Sequence, residues 1–339
     1  MNGLARRLAH SALVVWAVVS IAFVINTLLP GDPAQLVAGP QARPADIARI
    51  RQQLELDRPL LAQYARFWRR LAHIGPRIVD PNGDPAHANC LVVLPLGHVA
   101  GHIDFGKSFQ LRQPVAAMVA ERLPRTFALT TAGVLVQILF GLSTGVAAAL
   151  KRGSRLDRAV VGVSLLGISA PTFLIAILLQ YVLAYKLRWL PLDGFGRTLC
   201  EHVRCLVLPA ITLGVYGAAY YTRLVRDEMS VLLRQDWVRT AHAKGLPPWR
   251  VVTHHALRNA LVPIVTAVGL DFGVLMGGAV VTETVFRWPG LGNLSVKATL
   301  NRDGPVLLAC VVVTSIAIVA SNLVVDFVCA RLDPRTRRP

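Results

Sequence analysis

The chain has 339 residues, of which 54% are hydrophobic and 16% charged, and its mean hydropathy is +0.50. These values exclude a disordered or ordinary soluble protein and place the chain among proteins that cross a membrane several times. Its net charge of +17 is of the size found in nucleic-acid-binding proteins. The basic residues lie in segments between apolar runs, however, so we expect no nucleic-acid partner.

Six apolar runs approach the ~20 residues that an α-helix needs to cross the hydrocarbon core. They predict an all-α polytopic membrane protein with six transmembrane helices. The first run follows Arg6 and Arg7 as a signal peptide would, but no small-x-small cleavage pattern comes after it, so we expect a retained helix. The predicted spans are 8–29, 126–150, 159–187, 206–225, 260–282 and 306–330.

The basic residues also predict the orientation, because Lys and Arg are enriched in short cytoplasmic loops. Segments 151–158 and 331–339 each contain four of them, so both termini are predicted to be cytoplasmic. This divides the chain into a cytoplasmic N-terminus with the first helix at 1–29, an extracytoplasmic domain at 30–125, a membrane core at 126–330 and a cytoplasmic tail at 331–339. The core includes a cytoplasmic loop at 226–259.

The predicted extracytoplasmic domain contains two helices, at 44–56 and 59–73, separated around Asp57 to Pro59. The second helix has an apolar stripe. Two interpretations of the stripe stay open: it packs on the domain's own core or the membrane face, or it receives a partner on the outer side. The stripe consists of Leu60, Leu61, Tyr64, Phe67, Trp68 and Leu71.

Residues Gly101 to Ser108 match the phosphate-binding P-loop pattern letter for letter. We expect no nucleotide there, because the segment is predicted to be extracytoplasmic and Pro114 interrupts the helix that should follow Ser108 directly. His98 and His102 stand four residues apart, but no spacing fixes a third metal ligand. The sequence therefore predicts no catalytic site, no metal and no cofactor.

Three cysteines, Cys90, Cys200 and Cys205, are predicted to lie on the outer side. If that compartment is oxidising, two of them could pair. Cys200 and Cys205 are the local candidates for a disulfide, while Cys90 could pair with either, and free thiols or a metal between Cys200 and Cys205 stay open. Cys310 and Cys329 fall in the last span and are interpreted as packing residues.

Inside the membrane, Asp271 is the most informative residue. A carboxylate in a span is expensive and should face the bundle interior or a wet cavity. It either lines a substrate path or makes a structural hydrogen bond to a neighbouring helix. Gly269, Gly273 and Gly277 repeat every four residues, and this predicts close helix packing, while Pro171 should kink the third span. Gly141 and Gly145 form a second small-residue pair in the second span.

The predicted cytoplasmic loop contains the helix-compatible run from Asp236 to Gly245. Its small residues, Ala241, Ala243 and Gly245, would let a short helix fit into a cleft on another protein. A second helix-compatible run follows and contains Arg250 and Arg258.

Several short motifs are spread along the chain: Leu29 to Pro33, Leu56 to Pro59, Gln63-Tyr64, Asp104 to Ser108, Trp189 to Gly194, Thr282 to Gly292, Asn301 to Pro305, Asn322-Leu323, Asp326 and Leu332 to Arg335. Together they resemble the permease subunits of bacterial ABC importers for dipeptides and oligopeptides, a group that includes nickel and glutathione permeases. The resemblance covers nearly the whole chain. Residues roughly 76–100 look like an insertion, and Asp271 stands where the family suggests a neutral residue.

The resemblance implies a function and a set of partners. The loop resembles the family's EAA motif, whose short helix docks on an ATPase subunit, with Arg239, Thr240 and Ala241 at the Glu-Ala-Ala positions and Lys244 and Gly245 closing the motif. It implies a permease of the bacterial inner membrane, surrounded by lipid, that imports peptides by alternating access. Its partners would be a second homologous permease, as a heterodimer, two ATPases that carry the catalysis, and an extracytoplasmic solute-binding protein.

Alternative functions remain within and outside this class. The same importer type could carry nickel, glutathione or another small solute. A secondary transporter should show inverted repeats, and a channel should show a pore-lining polar ring. A membrane enzyme should show a cluster of acid, base or metal ligands. None of these patterns is evident in the sequence.

Overall fold

The computed structural model describes residues 2–28, 32–39, 41–76, 91–96 and 99–332. This part of the chain forms two compact units, one of residues 1–124 with 290–316 and the other of residues 125–289 with 317–339. The elements are almost all helical, as the sequence predicts.

Five helices are long and apolar enough to cross a membrane, and a bent pair of helices makes the sixth span. The bent pair is α6 (Arg155–Ser169) and α7 (Thr172–Leu179), which is continued by a π-helical stretch at Gln180–Lys186. The other five spans are Ala9–Leu28, Val115–Leu150, Leu199–Leu232, Pro248–Met276 and Gly304–Arg331. The predicted six-helix membrane class is therefore confirmed.

The third span bends by 103° at residues 170–171. Pro171 has no backbone N–H to donate, and it restricts the residue before it to extended conformations. Ala170 accordingly has φ −78° and ψ 129°, and α6 ends at Ser169. The predicted kink at Pro171 is confirmed, and it is large enough to break the span into two helices.

The first unit begins with α1 (Asn2–Leu28), followed by three short helices and a small sheet. The short helices are α2 (Pro33–Ala38), α3 (Pro44–Gln53) and α4 (Leu60–Leu71), and the strands are β1 (Ala72–Pro76), β2 (Leu91–Leu96) and β3 (Val99–Ile103). The strands are antiparallel in the order β1-β3-β2. This sheet is an addition that the all-helical prediction missed. It also ends α4 earlier than predicted, because β1 starts at Ala72.

The apolar stripe of α4 packs within its own unit. Tyr64 and Phe67 contact Phe23 of α1 with ring centroids 5.4 and 5.5 Å apart, and the Tyr64 hydroxyl lies 2.7 Å from that of Ser20. Phe67 and Trp68 also join the unit's main apolar cluster, which includes Val19 and Phe105. The first of the two interpretations therefore holds for these aromatic residues, whereas Leu61 at the start of α4 is 82% exposed.

The second unit contains the remaining helices and the later parts of α5 (Val115–Leu150) and α14 (Gly304–Leu332); α13 (Leu291–Leu300) and the first turns of both long helices belong to the first unit. Gly141 and Gly145 of α5 face α8, because a Cβ at either position would lie under 3 Å from Tyr221 or Val225. The predicted small-residue pair is thus a close helix crossing. The other helices are α8 (Leu199–Leu232), α9 (Asp236–Ala243), α10 (Pro248–Arg250), α11 (Leu257–Met276) and α12 (Val280–Val285), with a π-helical stretch at Val251–Ala256.

Gly269 and Gly273 of α11 pack on α14, which is the close helix packing that was predicted, and Gly277 is the C-cap of α11. A Cβ on Gly269 would lie 1.7 Å from Cγ2 of Val325, whereas one on Gly273 would meet ordinary contacts at 3.4 Å. The Ser321 hydroxyl also donates to the Gly269 carbonyl at 2.6 Å. Backbones can approach this closely only where side chains are absent.

This packing gives a stability prediction. Gly269→Ala should destabilise the protein by about 1–3 kcal/mol, the usual cost of overpacking. Gly273→Ala is the matched control and should have a clearly smaller effect. Adding Val325→Ala to Gly269→Ala should restore much of the loss. The Tm of the detergent-purified protein measures all three, and equal Tm values for the two glycine variants would contradict the crossing geometry.

Candidate functional site

The segment that matches a P-loop has a different geometry. Gly101 belongs to strand β3, residues 104–106 are irregular, and the next helix starts only at Val115. The Ser108 hydroxyl donates to the Asp303 carboxylate, which also accepts from the backbone N–H of Phe109 at 3.1 Å and of Gln110 at 3.4 Å. Ser108 thus joins two sequence motifs that are 195 residues apart.

The structure describes only some of the predicted histidine and cysteine candidates. His102 is buried in β3, while His98 and Cys90 lie outside the described residues. Cys200 and Cys205 are free thiols on the first two turns of α8. Residues five apart on an α-helix point about 140° away from each other, by the 3.6-residue repeat. Cys200 and Cys205 are therefore unpaired in this structure, and a disulfide between them would require the start of α8 to unwind.

Helix α9 forms the first part of the predicted docking segment, and a glycine ends it. The N–H of Gly245 donates to the His242 carbonyl at 2.9 Å, and the N–H of Leu246 donates to the Ala241 carbonyl at 3.2 Å. These two bonds form a Schellman motif, in which the glycine takes the left-handed conformation. Gly245 accordingly has φ +78°. The motif glycine therefore fixes where the helix stops and how the chain leaves it.

The two faces of α9 have different environments. Val238 and Ala241 are buried and form a small apolar cluster with Val251, against which Trp237 and Leu246 pack. The opposite face is exposed and consists of Arg239, Thr240, His242, Ala243 and Lys244. Of the five residues predicted to contact an ATPase, Arg239, Thr240, Lys244 and Gly245 are exposed, whereas Ala241 is only 9% exposed. Ala241 therefore packs α9 against its own chain.

A basic groove follows α9 along the π-helical stretch and the start of α11. It has a volume of about 560 Å³. The Asn259 amide donates to the His255 carbonyl at 3.0 Å, and the Arg250 guanidinium lies 5.8 Å from the ring of Trp249. The groove contains no acidic residue in its lining, so it favours an acidic or anionic partner. Its lining residues are Arg250, His254, His255, Arg258 and Asn259.

Asp271 belongs to a polar cluster of three membrane helices. The Tyr221 hydroxyl of α8 donates to Oδ2 of Asp271 at 3.4 Å, and the Gln137 side chain of α5 also interacts with this carboxylate. Gln137 and Tyr221 are each only 1% exposed, and Gln137 donates to the Leu213 carbonyl at 3.1 Å. The glycines of α11 face α14, so Asp271 and the glycine strip serve different helix contacts.

Comparison with known proteins identifies the family. Residues 137–338 match the family described as binding-protein-dependent transport system inner membrane component. Residues 1–130 match the family of its N-terminal part. The chain belongs to this family of transport permeases. The predicted resemblance to permease subunits of ABC importers is thereby confirmed.

Two relatives of this permease match it over nearly their whole length. This chain is 37% identical over 337 residues to the glutathione transport system permease protein GsiC of Salmonella paratyphi A, and the match covers 99% of each chain. It is also 37% identical over 335 residues to a Brucella abortus protein named as a peptide transport system permease, covering 98% of each. A solved structure titled as an inward-facing MetNI methionine ABC transporter matches with a TM-score of 0.56, at 18% identity over 65% of this chain and 99% of that one. This last match supports the fold alone.

Two buried acidic residues of the permease were not singled out by the sequence-based prediction. Glu283 is fully buried and accepts a hydrogen bond from the Thr126 hydroxyl at 3.0 Å. Asp157 accepts two hydrogen bonds from the Arg226 guanidinium, at 2.6 and 3.0 Å, and one from the Gly153 N–H at 2.9 Å. A signal existed for Glu283, which stands inside the recognised Thr282 to Gly292 motif. No local pattern could show that residues 69 positions apart form the Asp157 pair.

Proposed function

We propose that this permease imports short peptides as one of two homologous membrane subunits driven by a pair of ATPases. An extracytoplasmic solute-binding protein would deliver the solute. The family assignment supports an ABC importer permease of the inner membrane, and relatives named for peptide transport support the solute. The excess of basic residues in segments 151–158 and 331–339 supports cytoplasmic termini.

The exposed face of α9 carries this proposal. A short helix that presents Arg239, Thr240, Ala243 and Lys244, and is held from behind by Val238 and Ala241, is suited to enter a cleft of an ATPase. The basic groove beside it would meet acidic side chains of the same partner. Since α9 rests on Val251, just before α11, movement of α9 would reach a membrane helix directly. Such coupling requires that the ATPase binds two states of the bundle differently.

Transport by the reconstituted complex tests this function. The permease and the subunits that co-purify with it are placed in proteoliposomes, and ATP-dependent uptake of labelled Ala-Ala is compared with uptake of labelled glutathione. We expect uptake of Ala-Ala that stops without ATP. Uptake of glutathione alone would assign the solute of the GsiC relatives instead. Uptake without any ATPase subunit would contradict the importer class.

Asp271 is proposed as a residue of the transport path. Asp271→Asn keeps the size of the side chain and removes its charge, so uptake should fall at least about tenfold, the effect of losing one charge-assisted contact. The amount of assembled complex should stay the same. Tyr221→Phe is the matched control, since it removes the hydroxyl that donates to Asp271 but leaves the carboxylate. Normal uptake by Asp271→Asn, or an equal loss of Tm in both variants, would assign Asp271 a structural role.

A further inference from the structure

The first unit contains a cavity of about 640 Å³ between α1, α3, α4 and the start of α14. Cavities of this size hold small-molecule ligands in many proteins. Its apolar part is mostly aromatic, and the half-buried Asn26 amide lies beside it, packed against Gly304. The aromatic lining residues are Phe23, Phe67, Phe105 and Phe109.

The charges around this cavity are balanced. Three carboxylates and three guanidinium groups line it, so their formal charges cancel, although the whole chain has a net charge of +17. The basic groove beside α9 has no such balance. A cavity with both signs of charge favours neither a simple anion nor a simple cation, but it suits a molecule that has both charges. The charged lining residues are Asp32, Glu55, Asp57, Arg51, Arg66 and Arg70.

Contacts within the wall show where the two charges of a ligand would bind. Arg51 pairs with Asp32, and Arg66 pairs with Glu55. Asp57 is exposed and makes no ion pair with any residue that the structure describes, so it is available to an ammonium group. The Arg70 guanidinium lies over the backbone of Gly106, where a Cβ would be only 2.8 Å from Nη2. Its five donors can serve more than one partner, including a ligand carboxylate.

We infer that this cavity binds a small zwitterion of the short-peptide class, with its ammonium group at Asp57 and its carboxylate at Arg70. The choice of solute rests on the proposed function. The same chemistry occurs in the headgroup of phosphatidylethanolamine, which presents an ammonium and a phosphate. Asn26 would add an amide for the peptide backbone, and the aromatic residues would cover an apolar side chain.

Equilibrium dialysis with labelled Ala-Ala tests the cavity without any need for ATP. The full-length permease, with its co-purifying subunits, is placed in nanodiscs made only of phosphatidylglycerol. We expect saturable binding that Asp57→Asn weakens at least about tenfold, the loss of one charge-assisted hydrogen bond. Asp46→Asn is the matched control, because Asp46 is a surface acid of α3 outside this lining, and it should not change the affinity. N-acetylated and amidated Ala-Ala should compete at least tenfold less well.

Three outcomes would overturn this inference: no saturable binding, equal affinity in Asp57→Asn, or equal competition by N-acetyl-Ala-Ala. Repeating the dialysis in nanodiscs that contain phosphatidylethanolamine separates the two sources of a zwitterion. Loss of Ala-Ala binding in the nanodiscs that contain phosphatidylethanolamine would assign the cavity to a lipid headgroup. It would also overturn the assignment of a peptide as the ligand. Failure of either kind leaves ATP-dependent uptake unaffected, so it is distinguishable from failure of the proposed function.

Discussion

Replacing Ala243 by glutamate should abolish ATP-driven uptake while the permease stays folded. Ala243 is on the exposed face of α9, so the new side chain meets only solvent in the isolated chain. In the complex, it would place a charge and the four heavy atoms of glutamate beyond Cβ into a close-packed contact. An unpaired charge buried in an interface costs about 2–5 kcal/mol, which corresponds to an affinity lower by roughly 30-fold or more. Uptake by proteoliposomes and co-purification of the ATPase measure the effect.

Two further variants distinguish contact of α9 with the ATPase from packing of α9 on its own chain. Ala243→Ser keeps the side chain small and should retain uptake. Ala241→Glu changes the face that Ala241 shares with Val238 and that packs on Val251, so it should lose both uptake and stability, because a charge is forced into an apolar cluster. The Tm of the purified permease distinguishes the two glutamate variants. Normal substrate-stimulated ATPase activity in the Ala243→Glu complex would remove α9 from the ATPase contact.

The contrast between Ala241 and Ala243 shows what sequence could establish about this segment. The small residues and the closing glycine predicted a short helix between residues 236 and 245, and α9 ends at Ala243, two residues before the Schellman glycine Gly245. Which face of α9 is buried could not be predicted, since eight residues make only about two turns, too few to establish a periodicity. Burial of Ala241 depends on Val251, which follows two prolines and a second helix start. Only the folded chain brings them together.

Long-range contacts explain the other differences. Hydropathy predicted the position of the third span and Pro171 predicted a kink in it, but the size of the bend, 103°, became visible only in the structure. The intramembrane position of Asp271 was evident from sequence, whereas its partner Tyr221 lies 50 residues away. The P-loop pattern failed for a similar reason. Ser108 binds Asp303, and a short motif contains no information about such a partner.

Among the salt bridges that the structure describes, the pair of Asp157 and Arg226 should cost the protein the most stability when it is broken. The larger loss is expected when Arg226 is the residue replaced. Their side chains are 5% and 20% exposed, so removing Arg226 leaves a buried carboxylate whose one remaining hydrogen-bond donor among the described residues is the Gly153 N–H. Breaking a buried pair in this way costs about 3–5 kcal/mol. Asp157→Asn should cost less, about 1–3 kcal/mol, because Arg226 keeps its contact with Asp227 at 2.9 Å.

A double variant isolates the charge effect. Arg226→Leu alone should lower the Tm most, and combining it with Asp157→Asn should raise the Tm again, because the amide needs no cationic partner. Asp157 lies on α6 and Arg226 on α8, which leads into α9 within four residues of its end. Loss of this pair should therefore also reduce uptake, since it loosens the helix that positions α9, the segment that we propose docks on the ATPase. If the double variant were as unstable as the sum of the single ones, the pair would not be what joins these helices.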